Sequence, residues 1–200
     1  GNQVGVLLLD YICQCIKSQE GADKLCGKYV YKSIVSTPLI DKIAAAYGIN
    51  VESTLTGFKN IAVKIEALCR KGREQDFLFG FEESLGYLYG TYTRDKDGVM
   101  ACQLICLAAA RCKSLGITLS DRLNQIHQEY GFIESRTDAL YFTMEKDREV
   151  MDSIMKRLFH GDLKTVNEKP VKMDTTYQKE NVFQGEILEG DGRVHRFILR

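Results

Sequence analysis

The sequence predicts an α/β fold, a parallel sheet with flanking helices, followed by a partial α+β C-terminal segment. Three observations carry this. From the N-terminus, helix-period and strand-like stretches alternate, the order produced by parallel strands joined through crossover helices. Gly48, Gly57 and the Gly72-Arg-Glu turn punctuate those stretches. One apolar run, Asp76-Phe-Leu-Phe-Gly-Phe81, stops abruptly at Glu82-Glu-Ser-Leu-Gly86. That is how a buried strand of an open α/β sheet delivers polar groups at its C-terminal tip.

The elements follow in order. Apolar positions at helical spacing over 3–19 predict a first helix that ends near Gly21. Tyr29–Val35 is rich in β-formers and reads as a strand. Pro38 opens a helix at its first turn, which runs to Tyr47 and stops at Gly48. Ile49–Leu55 is a second strand, Gly57 precedes a helix through about Arg70, and 76–81 is the third strand. A polar loop fills 82–96. Asp97 is placed to cap a helix over 98–114 ended by Gly116, and Thr118 or Ser120 caps another through Tyr130. The pattern then changes. Ala139–Thr143 reads as a strand and Glu145–Phe159 as a charged amphipathic helix. Val182–Leu188 and Val194–Leu199 alternate like paired strands across Gly190-Asp-Gly192. Two domains are expected, 1–135 and 136–200. The second has few large apolar groups for an independent core and reads as incomplete.

Composition narrows the function classes. The chain has 27 basic and 27 acidic residues and no basic stripe, which argues against a nucleic-acid surface. Apolar stretches such as Val4–Leu9 and Val99–Ala110 are too short or interrupted to span a bilayer, and no signal-peptide pattern is present. A cytoplasmic protein is expected. Seven cysteines, an odd number, lie mostly within helical patterns, and their spacings lack the partners a zinc site needs. Free thiols are the expectation, with no metal ligands.

The chemistry concentrates at 82–98. Glu82 and Glu83 beside Ser84 offer acceptors for vicinal sugar hydroxyls, and Lys96 offers a proton donor or a partner for an anion. The residues point to a polar-ligand site for a carbohydrate or a phosphate ester. The bland reading is a solvated loop with a capping serine, in which Glu83 points away. Gly57 can let backbone amides approach a ligand at a helix N-terminus, and Lys59 follows in the first turn, where a solvated lysine is nearly as good a reading. Arg94 reads as structural or as a phosphate clamp. Tyr87, Tyr89 and Tyr92 read as loop packing, and His127 as an exposed or core-edge helix residue rather than a catalyst.

Gly80-Phe-Glu-Glu-Ser84 together with Arg94-Asp-Lys-Asp-Gly98 resembles the sugar-recognition loop of the α-D-phosphohexomutases, the phosphoglucomutases and phosphomannomutases. Gly1-Asn-Gln-Val-Gly5, Ser36-Thr-Pro38 and Thr56-Gly-Phe-Lys59 resemble other stretches of that family's third domain. The resemblance implies that 1–135 is domain-3-like and 136–200 the beginning of a domain-4-like segment. It implies an isomerase that interconverts hexose 1-phosphate and hexose 6-phosphate through a phosphoserine and a bisphosphate intermediate. Glu82 and Ser84 would then recognise the sugar, and Lys96 would assist proton or phosphate handling. Phe58 stands where some phosphomannomutases carry histidine, which favours the phosphoglucomutase branch. The resemblance further implies Mg2+, with ligands outside this segment, and glucose 1,6-bisphosphate as activator or intermediate. The implied partners are a hexose phosphate and the remaining domains of the same polypeptide, without which the segment is expected to be inactive. A phosphopentomutase, a glucose 1,6-bisphosphate synthase and a non-catalytic sugar-phosphate-binding module are the alternatives.

Overall fold

Two crossovers set the architecture. The computed structural model describes residues 1–135, 145–160, 164–166, 169–174, 182–188 and 194–199. The chain divides into two compact units, Gly1–Arg136 and Thr137–Arg200. In the first, helix α1 (Asn2–Gln19) leads into strand β1 (Tyr29–Ser33), α2 (Leu39–Ala46), β2 (Asn50–Thr54), α3 (Phe58–Cys69) and β3 (Phe77–Glu82). Then follow β4 (Gly86–Leu88), α4 (Gly98–Ser114) and α5 (Leu119–Tyr130). The sheet order is β2-β1-β3-β4, with β1 parallel to both β2 and β3, and β4 antiparallel at the edge.

The alternation of side chains along the strands decides which helix covers which face. Val30, Phe79 and Phe81 share one core with Leu8, Leu9 and Ile12 of α1 and Ile40 and Ile43 of α2. Tyr31, Phe77 and Leu88 share the other with Phe58, Ile61 and Ile65 of α3. Each such fully buried side chain contributes roughly 1.5–3 kcal/mol. The β1–α2–β2 and β2–α3–β3 crossovers therefore lie on opposite faces, and the chain reverses direction between β1 and β3. In open α/β sheets that reversal opens a crevice at the strands' C-terminal ends.

α1 sits close on the sheet because residue 5 is glycine. A Cβ there would come within 2.4 Å of the Phe81 ring. Phe81 in turn stacks on Tyr87 with centroids 5.8 Å apart. α1 is also tied to α5. Arg122 donates from Nε (2.8 Å) and a terminal nitrogen (2.7 Å) to the buried Asp10 carboxylate, which accepts from Gln14 as well. The cap of α5 resolves to Thr118, which shares three hydrogen bonds with Asp121.

Strand ends differ from the expected ranges by one or two residues, β1 stopping at Ser33 rather than at 35. The larger difference is β4, which turns part of the expected 82–96 loop into a hairpin with β3. Among the described residues no single helix is long and apolar enough to cross a membrane.

The second unit contains α6 (Glu145–Phe159) and an antiparallel sheet. Its strands are β5 (Thr165–Val166), β6 (Lys169–Asp174), β7 (Phe183–Leu188) and β8 (Val194–Leu199), in that order. β7 and β8 pair as expected. Phe159 meets Phe183 edge-on at 5.7 Å. The expected strand at 139–143 and the turn at 190–192 lie outside the described residues.

Candidate functional site

The crevice between β1 and β3 is bridged by side chains. Ser33, the last residue of β1, donates from Oγ to Glu83 Oε2 at 2.8 Å. Its single proton is then spent, so the 2.8 Å contact between Ser33 and Ser36 must use the Ser36 proton. Both serines are buried. Glu83 therefore points toward the β1 tip, and its carboxylate is oriented from within.

Glu82, the last residue of β3, has a different partner. It is 4% exposed, and its Oε1 accepts from the Gly57 N–H at 2.6 Å. Gly57 precedes α3 with φ of 104°, a conformation that L side chains avoid. The amide that the sequence placed toward a ligand is thus held by Glu82. The second oxygen, Oε2, lies on the opposite side. A Cβ added to Gly86 would meet Glu82 Oε2 and the Lys96 Cδ at 3.3 Å each. Glu82 and Lys96 thus flank one glycine, with the Lys96 side chain exposed.

Ser84 sits between Glu82 and Gly86 in the three-residue hairpin loop and is exposed. Its neighbour Leu85 takes φ of 63°, the one non-glycine residue in that region among those described. Three-residue hairpins need a left-handed residue at this point, a position that suits glycine. Leu85 is also 67% exposed, so packing does not compensate the cost.

The other expected residues separate. Lys59 is exposed in the first turn of α3. Arg94 turns away from the strand tip. Its guanidinium donates to Glu66, to the carbonyls of Thr91 and Thr93, and to Cys69 Sγ. Glu66 lies eight residues into α3, ~12 Å along the axis from Phe58. Arg94 therefore moors the loop that carries Lys96 to the far half of α3. The two arginines beside Glu66, Arg70 first and then Arg94, hold its carboxyl below the usual range. Asp97 caps α4, accepting from Val99 and Met100, as expected. The Tyr92 hydroxyl donates to its other oxygen at 2.5 Å. That bond, with the two amides, holds the Asp97 carboxyl below its ordinary value.

Two supporting residues, Lys32 and Asn2, were not singled out in the sequence, and a third, Tyr87, was read only as loop packing. Lys32, 3% exposed on β1, pairs with Asp41 of α2 at 2.8 Å and lies 3.4 Å from the carbonyls of Ser36 and Thr37. It braces the β1–α2 loop from below. Asn2 Oδ1 accepts from the Thr37 N–H at 3.0 Å. Tyr87 donates to the Gly1 carbonyl at 2.8 Å, and burial pushes its phenol up to about 12, so it stays a donor. Lys32 had a signal, since it shares a strand face with the core residue Val30.

Among the described residues no group of three or more His, Cys, Asp or Glu converges to hold a metal ion. The described side chains do not fit a magnesium site.

Fold and site together define a doubly wound α/β domain whose strand tips carry two oriented carboxylates, Glu82 and Glu83. Residues 1–130 match the model of the phosphoglucomutase/phosphomannomutase alpha/beta/alpha domain III, and the chain belongs to that family. It is 36% identical over 155 residues to a phosphoglucomutase of Staphylococcus epidermidis, a match covering 78% of this chain and 27% of that protein. It is 33% identical over 163 residues to the glucose 1,6-bisphosphate synthase of Homo sapiens, covering 81% of this chain and 25% of that one. A crystal structure of the Paramecium phosphoglucomutase parafusin, in its open form, superposes with a TM-score of 0.57 at 18% identity. That match covers 100% of this chain and 33% of the other, and it supports the fold. The chain spans about a quarter to a third of the length of these relatives.

Proposed function

We propose that this chain is the sugar-recognition part of a longer cytoplasmic phosphohexomutase acting between hexose 1-phosphate and hexose 6-phosphate. In this reading Gly1–Arg136 is its third domain and the second unit the start of its fourth. The convergence of Glu82 Oε2 and the Lys96 stem on Gly86 is the observation that carries the proposal. A carboxylate oxygen fixed by an amide at its partner oxygen is a preorganised acceptor for a sugar hydroxyl. An ammonium beside it suits the phosphate of the same ligand. Ser84 adds a hydroxyl that can donate or accept, and Glu83 holds the loop through Ser33. Lys59, two residues after the Gly57 amide that holds Glu82, would extend the reach of the site toward an anion. Arg94 positions the loop.

In the proposed reaction a phosphoserine elsewhere in the polypeptide transfers its phosphoryl group to the free hydroxyl of the sugar phosphate. The resulting glucose 1,6-bisphosphate turns over, and its other phosphate returns to the serine. Magnesium, held outside the described residues, would supply charge neutralisation at the transferring group. The contribution of this chain is to hold the sugar in both orientations.

The relationship to the human synthase favours one second reading, a bisphosphate-forming enzyme that releases the intermediate. Product analysis separates the two. A mutase accumulates hexose 6-phosphate, and a synthase accumulates the bisphosphate.

Glu82→Gln combined with Ser84→Ala in the complete enzyme should remove about 3 kcal/mol of transition-state stabilisation, on the order of 10²-fold in kcat/KM. Unchanged kcat/KM would refute these assignments. Amide shifts of the labelled 200-residue chain, titrated with glucose 1-phosphate against mannose and ribose phosphates, report on branch preference. Shifts confined to 80–86 and 94–98 are expected.

A further inference from the structure

We propose that Lys32 is a positioning residue of the sugar site, holding Glu83 through the β1–α2 loop, a reading that rests on the function proposed above. Among the described residues Lys32 is the one buried cation. Its side chain is 4% exposed, against 43% for that of its partner Asp41. An ammonium in such a place is costly, and an apolar side chain of the same length would avoid the desolvation. Cohesion of the core therefore does not account for it, and its acceptors do. Besides the Asp41 carboxylate at 2.8 Å, Lys32 Nζ donates to the carbonyls of Ser36 and Thr37, each at 3.4 Å. Asp41 lies in the first turn of α2, so a single ammonium ties the start of that helix to the loop that leads into it.

The loop passes this constraint on to the site. Ser36 is held twice to Ser33. Its amide donates to the Ser33 carbonyl at 3.0 Å, and the two hydroxyls meet at 2.8 Å. Ser33 in turn donates to Glu83 Oε2 at 2.8 Å. The Thr37 amide donates to Asn2 Oδ1 at 3.0 Å, which fixes the same loop to the start of α1. Ser33, Ser36 and Thr37 are all buried. In a buried polar network of this kind the loss of one member is felt by the next. The path is continuous, from the Lys32 ammonium through Ser36 and Ser33 to the Glu83 carboxylate. Glu83 stands between Glu82 and Ser84, the two residues assigned to the sugar, so its placement constrains theirs.

Two readouts separate positioning from support of the fold. In the complete enzyme Lys32→Met should raise KM for glucose 1-phosphate about tenfold with kcat within about twofold, because loosened acceptors lose binding common to substrate and transition state. A role in stability alone would lower the folded fraction, and with it kcat, at unchanged KM. Ser33→Ala should raise KM to a similar degree, and the double variant no further, since both cut one path. In the 200-residue chain Lys32→Met should speed hydrogen exchange at the Thr37 amide about tenfold and move the Glu83 carboxyl carbon resonance, with the Phe79 amide unchanged.

An unchanged KM would overturn the proposal, as would an unmoved Glu83 resonance, or effects of Lys32→Met and Ser33→Ala that multiply in the double variant. Should Lys32→Met not fold, Asp41→Asn releases the ammonium from its half-exposed end and is read in the same way. Glu82→Gln with Ser84→Ala tells the two failures apart. If that pair lowers kcat/KM and Lys32→Met leaves KM unchanged, the positioning role alone is overturned. If neither has an effect, the sugar-site reading has failed and the positioning role falls with it.

Discussion

The Asp10–Arg122 pair makes an asymmetric prediction. Its two ends differ in exposure: the Asp10 side chain is 3% accessible and that of Arg122 21%. Arg122→Met strands a buried carboxylate whose remaining hydrogen bond comes from Gln14. Breaking a buried pair in this way costs about 3–5 kcal/mol. Asp10→Asn instead leaves a guanidinium that can turn toward water and toward the nearby charge of Glu129. Loss of charge-assisted hydrogen bonds with re-solvation costs roughly 1.5–3 kcal/mol. The arginine variant should therefore be the less stable by about 2 kcal/mol. With a urea slope of about 2 kcal/mol/M, that separates the two midpoints by about 1 M. Urea unfolding followed by far-UV circular dichroism on the 200-residue chain measures it. Equal midpoints, or a lower one for Asp10→Asn, would show that burial does not set the cost and would refute the reasoning.

Leu85→Asn should stabilise the domain by roughly 0.5–1 kcal/mol, because asparagine tolerates the left-handed conformation that leucine is forced into; Leu85→Val should destabilise it, and thermal melts decide both. The depressed Asp97 carboxyl contributes stability that is present above its unfolded value and lost as pH falls through its folded value. Acid should therefore release the Val99 and Met100 amides only below the ordinary carboxylate range, and Tyr92→Phe, removing the leading cause, should move that release to higher pH in an NMR titration. Gly86→Ala should cost roughly 1–2 kcal/mol and weaken sugar-phosphate binding, since the methyl wedges between Glu82 and Lys96; calorimetric affinity unchanged from the parent would refute the shared-corner geometry.

The doubly wound core was legible because its signals are local. Apolar periodicity, Pro38 and the glycines after each helix report on their own segment of chain. The hairpin was not legible, because β4 is three residues long and its pairing depends on Leu85 accepting a conformation that its side chain disfavours. Glu82, Ser84 and Lys96 could be read as polar groups at a strand tip. Their partners could not. The Gly57 amide lies 25 residues from Glu82, and Ser33 lies 50 from Glu83, distances across which a sequence pattern carries no register. Arg94 shows the same limit. Its charge and its place beside Lys96 suggested the ligand, and the fold delivers it to Glu66 and Cys69.

Those long-range bonds also bear on how such a site can work. A mutase must accept its sugar in two orientations, so its acceptors cannot rely on adapting to one of them. At this strand tip each carboxylate already has one oxygen committed, Glu82 to Gly57 and Glu83 to Ser33. The commitment removes rotational freedom that would otherwise be lost on binding, which for a glutamate costs roughly 0.5–1.5 kcal/mol. It also leaves Glu82 Oε2 presented in a fixed direction, beside Lys96. The bonds that fix Glu82 and Glu83 originate at two different places, the loop after β2 and the end of β1. Displacement of either segment moves a carboxylate, so the proposed recognition would depend on the integrity of the sheet's C-terminal edge. Lys32 beneath one loop and Arg94 beside the Lys96 segment support that edge through Asp41 and Glu66.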